Sequence, residues 1–372
     1  LLLGILTAAF HYRVRHQMAD FEVNYRAGQR LRSAETLYRI EDEHYMFKYL
    51  PASAILYAPL TLVSLPAAKA IWYGLILICS ALLVYLAHRL LPHGERKSSW
   101  TWLLPALILG KYFFREWDLG QINTMVGVVL LGMTACLAGE RPASRTGREI
   151  GAGLFWGMGV ALKPYALIFL PYLVLKGRWR GLAAGMLAIG AALAIPVFYY
   201  GLPGNLAVHR EWFTTLSRST PGLLDSQDNI SLLALFVKWT GDRRLAILLA
   251  GCAVAALALL VLWMVRRGRA LSGTTYLDGS VLLLCIPLVS PLGWDYTLIL
   301  AFPALMVVIQ HFRSFSRPWQ GILIVDSLLI ALTLYDVMGE EYYAWYLNRS
   351  IPTLNFLLIL GYALYLRGRR LC

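Results

Sequence analysis

Five short polar clusters interrupt or end long apolar runs in this chain. They are Asp20-Phe21, Trp117-Asp118-Leu119-Gly120-Gln121-Ile122-Asn123, the stretch from Gly157 to Lys163-Pro164, Asp228-Asn229-Ile230-Ser231, and Ser290-Pro291-Leu292-Gly293-Trp294-Asp295-Tyr296. Ionisable and amide groups placed inside or at the rim of apolar segments are costly to bury without partners, so those present are functional candidates. Carboxylates, a lysine, amides and indoles gathered at a water boundary are equipped to move a proton, neutralise an anion and hydrogen-bond a polar ligand. The five cysteines show neither a CxxC nor a Cys/His metal spacing, and four of them lie in apolar runs, so they are read as packing residues.

The elements that must position these clusters are membrane helices. Of the 372 residues 58% are hydrophobic and 15% charged, which excludes an ordinary soluble domain. The net charge of +13 falls in short Lys/Arg clusters between apolar segments rather than on one basic face, so it is read as an orientation signal and not as a nucleic-acid surface. Six connections are basic: Arg89 to Lys97, Arg141 to Arg148, Lys176 to Arg180, Arg266 to Arg269, Arg313 to Arg317 and Arg367 to Arg370. Placing all six in the cytoplasm predicts paired crossings at about 100–114 with 122–139, 150–162 with 165–175, 181–199 with 245–265, 276–289 with 297–310, and 319–335 with 351–366. With 1–11 and 67–88 the expectation is about twelve spans with both ends inside, the first of them truncated, in a single all-α polytopic domain over 1–372. The segments 150–162 and 165–175 could also form one helix kinked at Lys163-Pro164, which would invert the later loops.

The acidic residues provide an independent test, since they played no part in building this topology. Most of them, from Asp20 and Glu22 through Glu116, Asp118, Asp228 and Asp295 to Glu341, fall in or beside the expected outer loops. The first extracytoplasmic loop, 12–66, is expected to hold an amphipathic helix over 20–48 and a re-entrant or interfacial piece at Pro51 to Pro66. Asp326 lies within an apolar span and is expected to pair with an Arg or Lys.

In order along the chain, Asp20-Phe21, Tyr49-Leu50-Pro51, Ala58-Pro59-Leu60, Gly120-Gln121-Ile122-Asn123, Gly157 to Pro164, Asn229-x-Ser231, and Ser290-Pro291 with Trp294 form a collinear set. This set resembles the polyprenyl-phosphate-dependent mannosyltransferases of glycosyltransferase family 87, in the GT-C superfamily of membrane glycosyltransferases. Many members carry a histidine just after the tryptophan of the last motif, where this chain has Asp295-Tyr296-Thr297. The resemblance implies a GT-C-like bundle and inverting transfer of a hexose, most simply mannose, from a polyprenyl phosphate to a lipid or glycan hydroxyl outside a bacterial plasma membrane.

It implies site roles as well. Asp20 is the candidate base, with a helix cap or an Arg partner as the alternative, and Lys163 is the candidate ligand of the donor phosphate, with snorkelling to the interface as the alternative. Gln121, Asn123, Asn229 and Asp295 either hydrogen-bond sugar hydroxyls or join helices. Trp294, Trp117 and Trp212 either stack on a sugar ring or anchor the membrane interface. Asp20 and Asp118 could hold a cation, but without an Asp-x-Asp run or an adjacent ligand set the reaction is expected to need neither metal nor cofactor. The competing class is a multi-pass transporter or flippase, which usually shows two similar halves with matching helix breaks.

Overall fold

A computed structural model of the chain describes residues 2–91, 98–139, 145–267 and 274–369. The first half runs α1 (Leu2–Tyr12), α2 (Ala19–Arg32), α3 (Ser53–Tyr57), α4 (Leu65–Leu90), α5 (Trp100–Ile108), α6 (Gly110–Leu119), α7 (Asn123–Ala138), α8 (Arg145–Leu162), α9 (Leu170–Leu175) and α10 (Trp179–Ala194). The second half runs α11 (Val197–Ser219), α12 (Leu232–Thr240), α13 (Arg243–Arg267), α14 (Thr274–Val289), α15 (Phe302–Gln310), α16 (Arg317–Leu332), α17 (Tyr335–Met338), α18 (Glu340–Asn348) and α19 (Ile351–Arg369). Short 3-10 helices, Pro164–Phe169 and Asp295–Ala301, precede α9 and α15.

Among the described residues three helices, α4, α13 and α19, are individually long and apolar enough to cross a membrane. Two bent pairs, α6 with α7 at 116° and α10 with α11 at 91°, bring the number to five if each pair counts as one span. The other apolar stretches of the twelve-span reading form shorter helices. A 16-residue helix such as α14 reaches about 24 Å, less than the roughly 30 Å of a hydrocarbon core. Local chemistry shortens them: Pro164 follows an extended Lys163 (φ −147°), Pro196 sits at the α10–α11 bend, and the expected 100–114 span divides into α5 and α6 at Leu109. Helix α14 is buried all round from Tyr276 to Leu288 and forms the centre of the bundle.

The amphipathic helix expected over 20–48 forms only as α2, which ends at Arg32, with a short 3-10 piece at Ile40–Tyr45 beyond it, and Pro51 to Pro66 contains only short helical pieces before α4 starts. At one end of the bundle, residues of three of the six basic connections meet. Arg145 and Arg178 both pair with Glu149, at 3.2 and 2.9 Å. Arg367 and Lys176 both pair with the buried Asp278, at 2.8 and 3.3 Å, and Arg367 also donates to the carbonyl of Met264. Helix α8 begins at this end and, over 18 residues, carries the chain about 27 Å to Lys163.

Among the described residues Asp326 makes no ion pair with the lysine or arginine expected of its position. Asn355 instead turns its amide nitrogen to Asp326 Oδ1 at 3.1 Å and accepts from Tyr346 at 3.2 Å. Cys79, Cys136, Cys252 and Cys285 are free thiols. Cys372, parts of the basic connections (92–97, 141–144, 268–269, 370) and Leu1 lie outside the described residues.

Candidate active site

The site is assembled from the end of α6, the break after α8, the start of α2 and the loop before α15. Gly120 ends α6 in the left-handed region (φ +71°), and a Cβ there would stand 2.6 Å from Phe21 Cβ, so glycine is required for this turn to seat on α2. Trp72 of α4 donates to the Gly120 carbonyl at 2.8 Å and stacks on Phe21 at 5.6 Å, while Met18 N–H donates to the Asp118 carbonyl at 2.7 Å. Lys69 of α4 holds Glu22 at 2.7 Å. These contacts bring Asp20 to Gln121, whose Nε2 donates to Asp20 Oδ2 at 2.5 Å and to the Tyr296 hydroxyl at 3.2 Å.

Lys163 arrives from the opposite side. Helices α8 and α10 approach closely over glycines: a Cβ on Gly153 would lie 1.9 Å from the Gly181 carbonyl oxygen, and one on Gly157 would lie 2.7 Å from that of Gly185. That contact fixes the line of α8, and the extended backbone at Lys163 then turns its side chain inward. Its ammonium donates to Gln121 Oε1 at 3.1 Å and to Asn123 Oδ1 at 2.9 Å. Around it stand the rings of Tyr49, Tyr165 and Tyr296 at 5.3, 5.6 and 5.9 Å, a cation–π enclosure. Tyr49 also donates to Gln121 Oε1 at 3.1 Å and Tyr165 to Asn123 Oδ1 at 2.8 Å. Burial pulls the Lys163 ammonium down to about 8, with Glu116 and Asp20 acting in the opposite sense.

A cavity of about 830 Å³ opens on this network. Asp20, Gln121, Lys163 and Trp294 line it, together with Lys48, Arg115 and Asp228. Asn123 lies behind Lys163 and holds it from the protein side. Asp295 is buried and meets Arg115 Nε at 3.0 Å, and Arg115 also donates to Asp228 at 2.6 Å, so an Arg–Asp–Asp cluster forms the far wall. Asn229 is fully buried with its amide committed to the backbone: Nδ2 donates to the Leu223, Leu224 and Pro291 carbonyls, and Oδ1 accepts from the Ser231 and Gly293 amides. It joins two loops and has no place on the cavity surface.

Asp118 pairs with Arg13 at 3.5 Å, and Trp117 donates to Ser80 at 3.0 Å, so neither reaches the cavity; Trp212 does, while its indole nitrogen bonds the Lys48 carbonyl at 3.1 Å.

Sequence reasoning did not assign roles to Tyr49, Tyr165, Tyr296, Arg115, Glu116 or Lys48. Tyr49 stands in a quoted motif, and Arg115-Glu116 interrupts an apolar run, which was the available signal for that pair.

Residues 47–291 match the family model of glycosyltransferase family 87. The chain belongs to glycosyltransferase family 87. Two curated proteins are similar to it, each called a polyprenol-phosphate-mannose-dependent alpha-(1-2)-phosphatidylinositol mannoside mannosyltransferase. The one from Mycobacterium tuberculosis is 25% identical over 286 residues, and the one from Mycolicibacterium smegmatis is 27% identical over 284 residues. Each alignment covers 70% of this chain and 61% of the relative, so the chain spans about three fifths of the length of these relatives. No solved structure matches. Asp20, Gln121 and Lys163, 101 and 42 residues apart along the chain where they bond, share one hydrogen-bonded network; Gln121 and Lys163 lie within the matched residues and Asp20 precedes them.

Proposed function

We propose that this member of family 87 transfers a hexose, most simply mannose, from a polyprenyl phosphate to a hydroxyl of a lipid or glycan acceptor, with inversion, on the outer face of a bacterial plasma membrane. The observation that carries the reading is the linkage of a carboxylate and an ammonium through one amide in a cavity wall: Asp20 to Gln121 Nε2, and Lys163 to Gln121 Oε1. The relatives' names supply the donor class.

In this reading the donor phosphate enters beside Lys163, whose charge stabilises the phosphate as the glycosidic bond to it breaks. The prenyl chain follows the apolar part of the cavity lining, where Leu167, Ile168, Leu216 and Ile286 lie. The acceptor hydroxyl attacks from the face opposite the leaving phosphate and gives its proton to Asp20, which the Gln121 amide holds in place. The donor is already activated, so the reading invokes neither metal nor cofactor. The end of the bundle that carries the cavity faces outward, and the end with Glu149, Asp278 and their arginines faces the cytoplasm.

Purified protein in proteoliposomes, given radiolabelled polyprenyl-phosphate mannose and a lipid acceptor extract, tests the activity. Labelled acceptor is the expected product. Movement of the donor or of a solute across the bilayer without labelled acceptor would make the protein a transporter or flippase instead. Cysteine labelling with an impermeant reagent tests orientation, and labelling at position 145 from outside would reverse it.

A further inference from the structure

Glu116 is wholly buried on α6, one residue from Arg115, yet it faces away from the cavity. Both its oxygens accept hydrogen bonds: Oε2 from Asn123 Nδ2 at 2.7 Å and Oε1 from the Thr124 backbone N–H at 2.8 Å. Asn123 then presents its other end, Oδ1, to Lys163 at 2.9 Å and to Tyr165 at 2.8 Å. An amide has one donating and one accepting end, so the group that occupies the first decides what the second can face. With a carboxylate behind it, Asn123 must donate backward and accept forward. Without one, the amide can turn and set its NH2 against the Lys163 ammonium, where donor would meet donor.

We propose that Glu116 is a positioning residue for the donor-phosphate cation: through the Asn123 amide it holds the Lys163 ammonium at the cavity wall and balances its charge before the phosphate arrives. The proposal rests on reading Lys163 as the ligand of the donor phosphate. The charged and titratable groups that face Lys163 are Glu116 through Asn123, Asp20 through Gln121, and the three tyrosines Tyr49, Tyr165 and Tyr296. Of the two carboxylates, Asp20 lines the cavity and Glu116 does not, so changing Glu116 perturbs Lys163 without altering a group that touches substrate.

The test uses the full chain in lipid nanodiscs. In Glu116→Gln the donor KM is expected to rise about tenfold with kcat within about twofold, and the alkaline limb of kcat/KM for the donor to move down by about one pH unit. Glu116→Asp keeps the charge at shorter reach, so its alkaline limb is expected to stay near the wild-type position while the donor KM rises. A second readout does not depend on turnover. Reductive methylation with 13C-formaldehyde tags the lysines, the Lys163→Arg variant assigns the Lys163 signal, and its titration is expected to shift down by about one pH unit in Glu116→Gln.

Wild-type donor KM together with an unmoved Lys163 titration in Glu116→Gln overturns the proposal. So does a loss of rate that follows the folded fraction with donor KM unchanged, since that is the signature of a cap on Thr124 alone. If Glu116→Gln does not fold, Glu116→Asp decides: a raised donor KM supports the proposal and an unchanged one overturns it. If the wild type transfers no sugar, the activity proposed above fails, while the Lys163 titration in Glu116→Gln against wild type still decides the role of Glu116.

Discussion

The two walls of the cavity use the same residue types in different ways. On the α2–α8 side, the amide of Gln121 bonds only side chains in its described contacts: Asp20, Lys163, Tyr49 and Tyr296. On the other side, the amide of Asn229 bonds five backbone groups and joins the 223–231 loop to the 291–293 turn. Carboxylates divide likewise: Asp20 lines the cavity, whereas Asp295 is buried against Arg115. One wall is thus a set of side chains that a substrate can reorganise, and the other is a rigid frame. An amide or acid at a membrane rim is therefore assigned by what it bonds, because catalysis needs a group able to exchange its partner for substrate, and a backbone lock cannot do so.

The comparison breaks most readily at Asp20. Asp20→Asn retains size and hydrogen-bonding capacity but cannot accept a proton, so transfer is expected to fall about 10²–10⁴-fold with expression and donor binding retained. Steady-state turnover with labelled donor checks it, and more than about a tenth of the wild-type rate would remove Asp20 from the mechanism. A helix-cap role predicts little change, because asparagine caps helices about as well as aspartate.

Asn229→Ala against Gln121→Ala separates the frame from the network. Losing the Asn229 amide removes a bond from five backbone groups, of which the Leu223 and Pro291 carbonyls keep Ser226 N–H and Ser231 Oγ as donors, and a loss of about 3 kcal/mol in stability is expected, with per-folded-molecule activity little altered. Gln121→Ala is expected to reverse that pattern, lowering turnover more than melting temperature. Thermal unfolding beside turnover in one membrane preparation reads both, and matching profiles for the two variants would erase the distinction between the walls.

Lys163→Ala should raise the donor KM about ten- to a hundredfold with little loss of fold, and Lys163→Arg should recover part of it, since a guanidinium keeps the charge but not the shape. Wild-type turnover at low donor concentration in the alanine variant would leave Lys163 no part in donor binding.

The smallest expected effect is one of pH. The Lys163 pKa is lowered to about 8 by burial, so the free enzyme loses this cation as pH rises through that value. Donor kcat/KM is expected to be level below about 8 and to fall above it, while Lys163→Arg, always protonated, should remove that limb. A flat wild-type profile between pH 7 and pH 9.5 or so would show that Lys163 does not govern donor capture.

Much of this protein follows from its sequence alone. Long apolar runs with few charges dictate helices in a membrane, because only a helix satisfies its own backbone there. Proline after Lys163 dictates a break at that residue, because it removes a donor and forces the preceding residue to extend. The basic clusters between apolar runs suggested one common end of the bundle, and three of the six, at Arg145, Lys176 to Arg178 and Arg367, do meet there. Resemblance to family motifs named Asp20, Gln121 and Lys163, three residues that line one cavity.

The tertiary structure decided what local chemistry leaves open. How far each apolar stretch runs as an unbroken helix depends on its packing and breaks, which is why, among the described residues, three to five helices satisfy the length and composition of a span where apolar runs alone predicted about twelve. Arg115 and Glu116 are neighbours, but about 100° apart around a helix, so one reaches the cavity and the other the back of Asn123. The Asp326 partner is an amide because α19 brings Asn355 beside it, a contact no spacing rule connects. Asn123, Asn229 and Gln121 share a functional group and differ in everything around it, because a side chain's role is set by neighbours that arrive from distant parts of the chain.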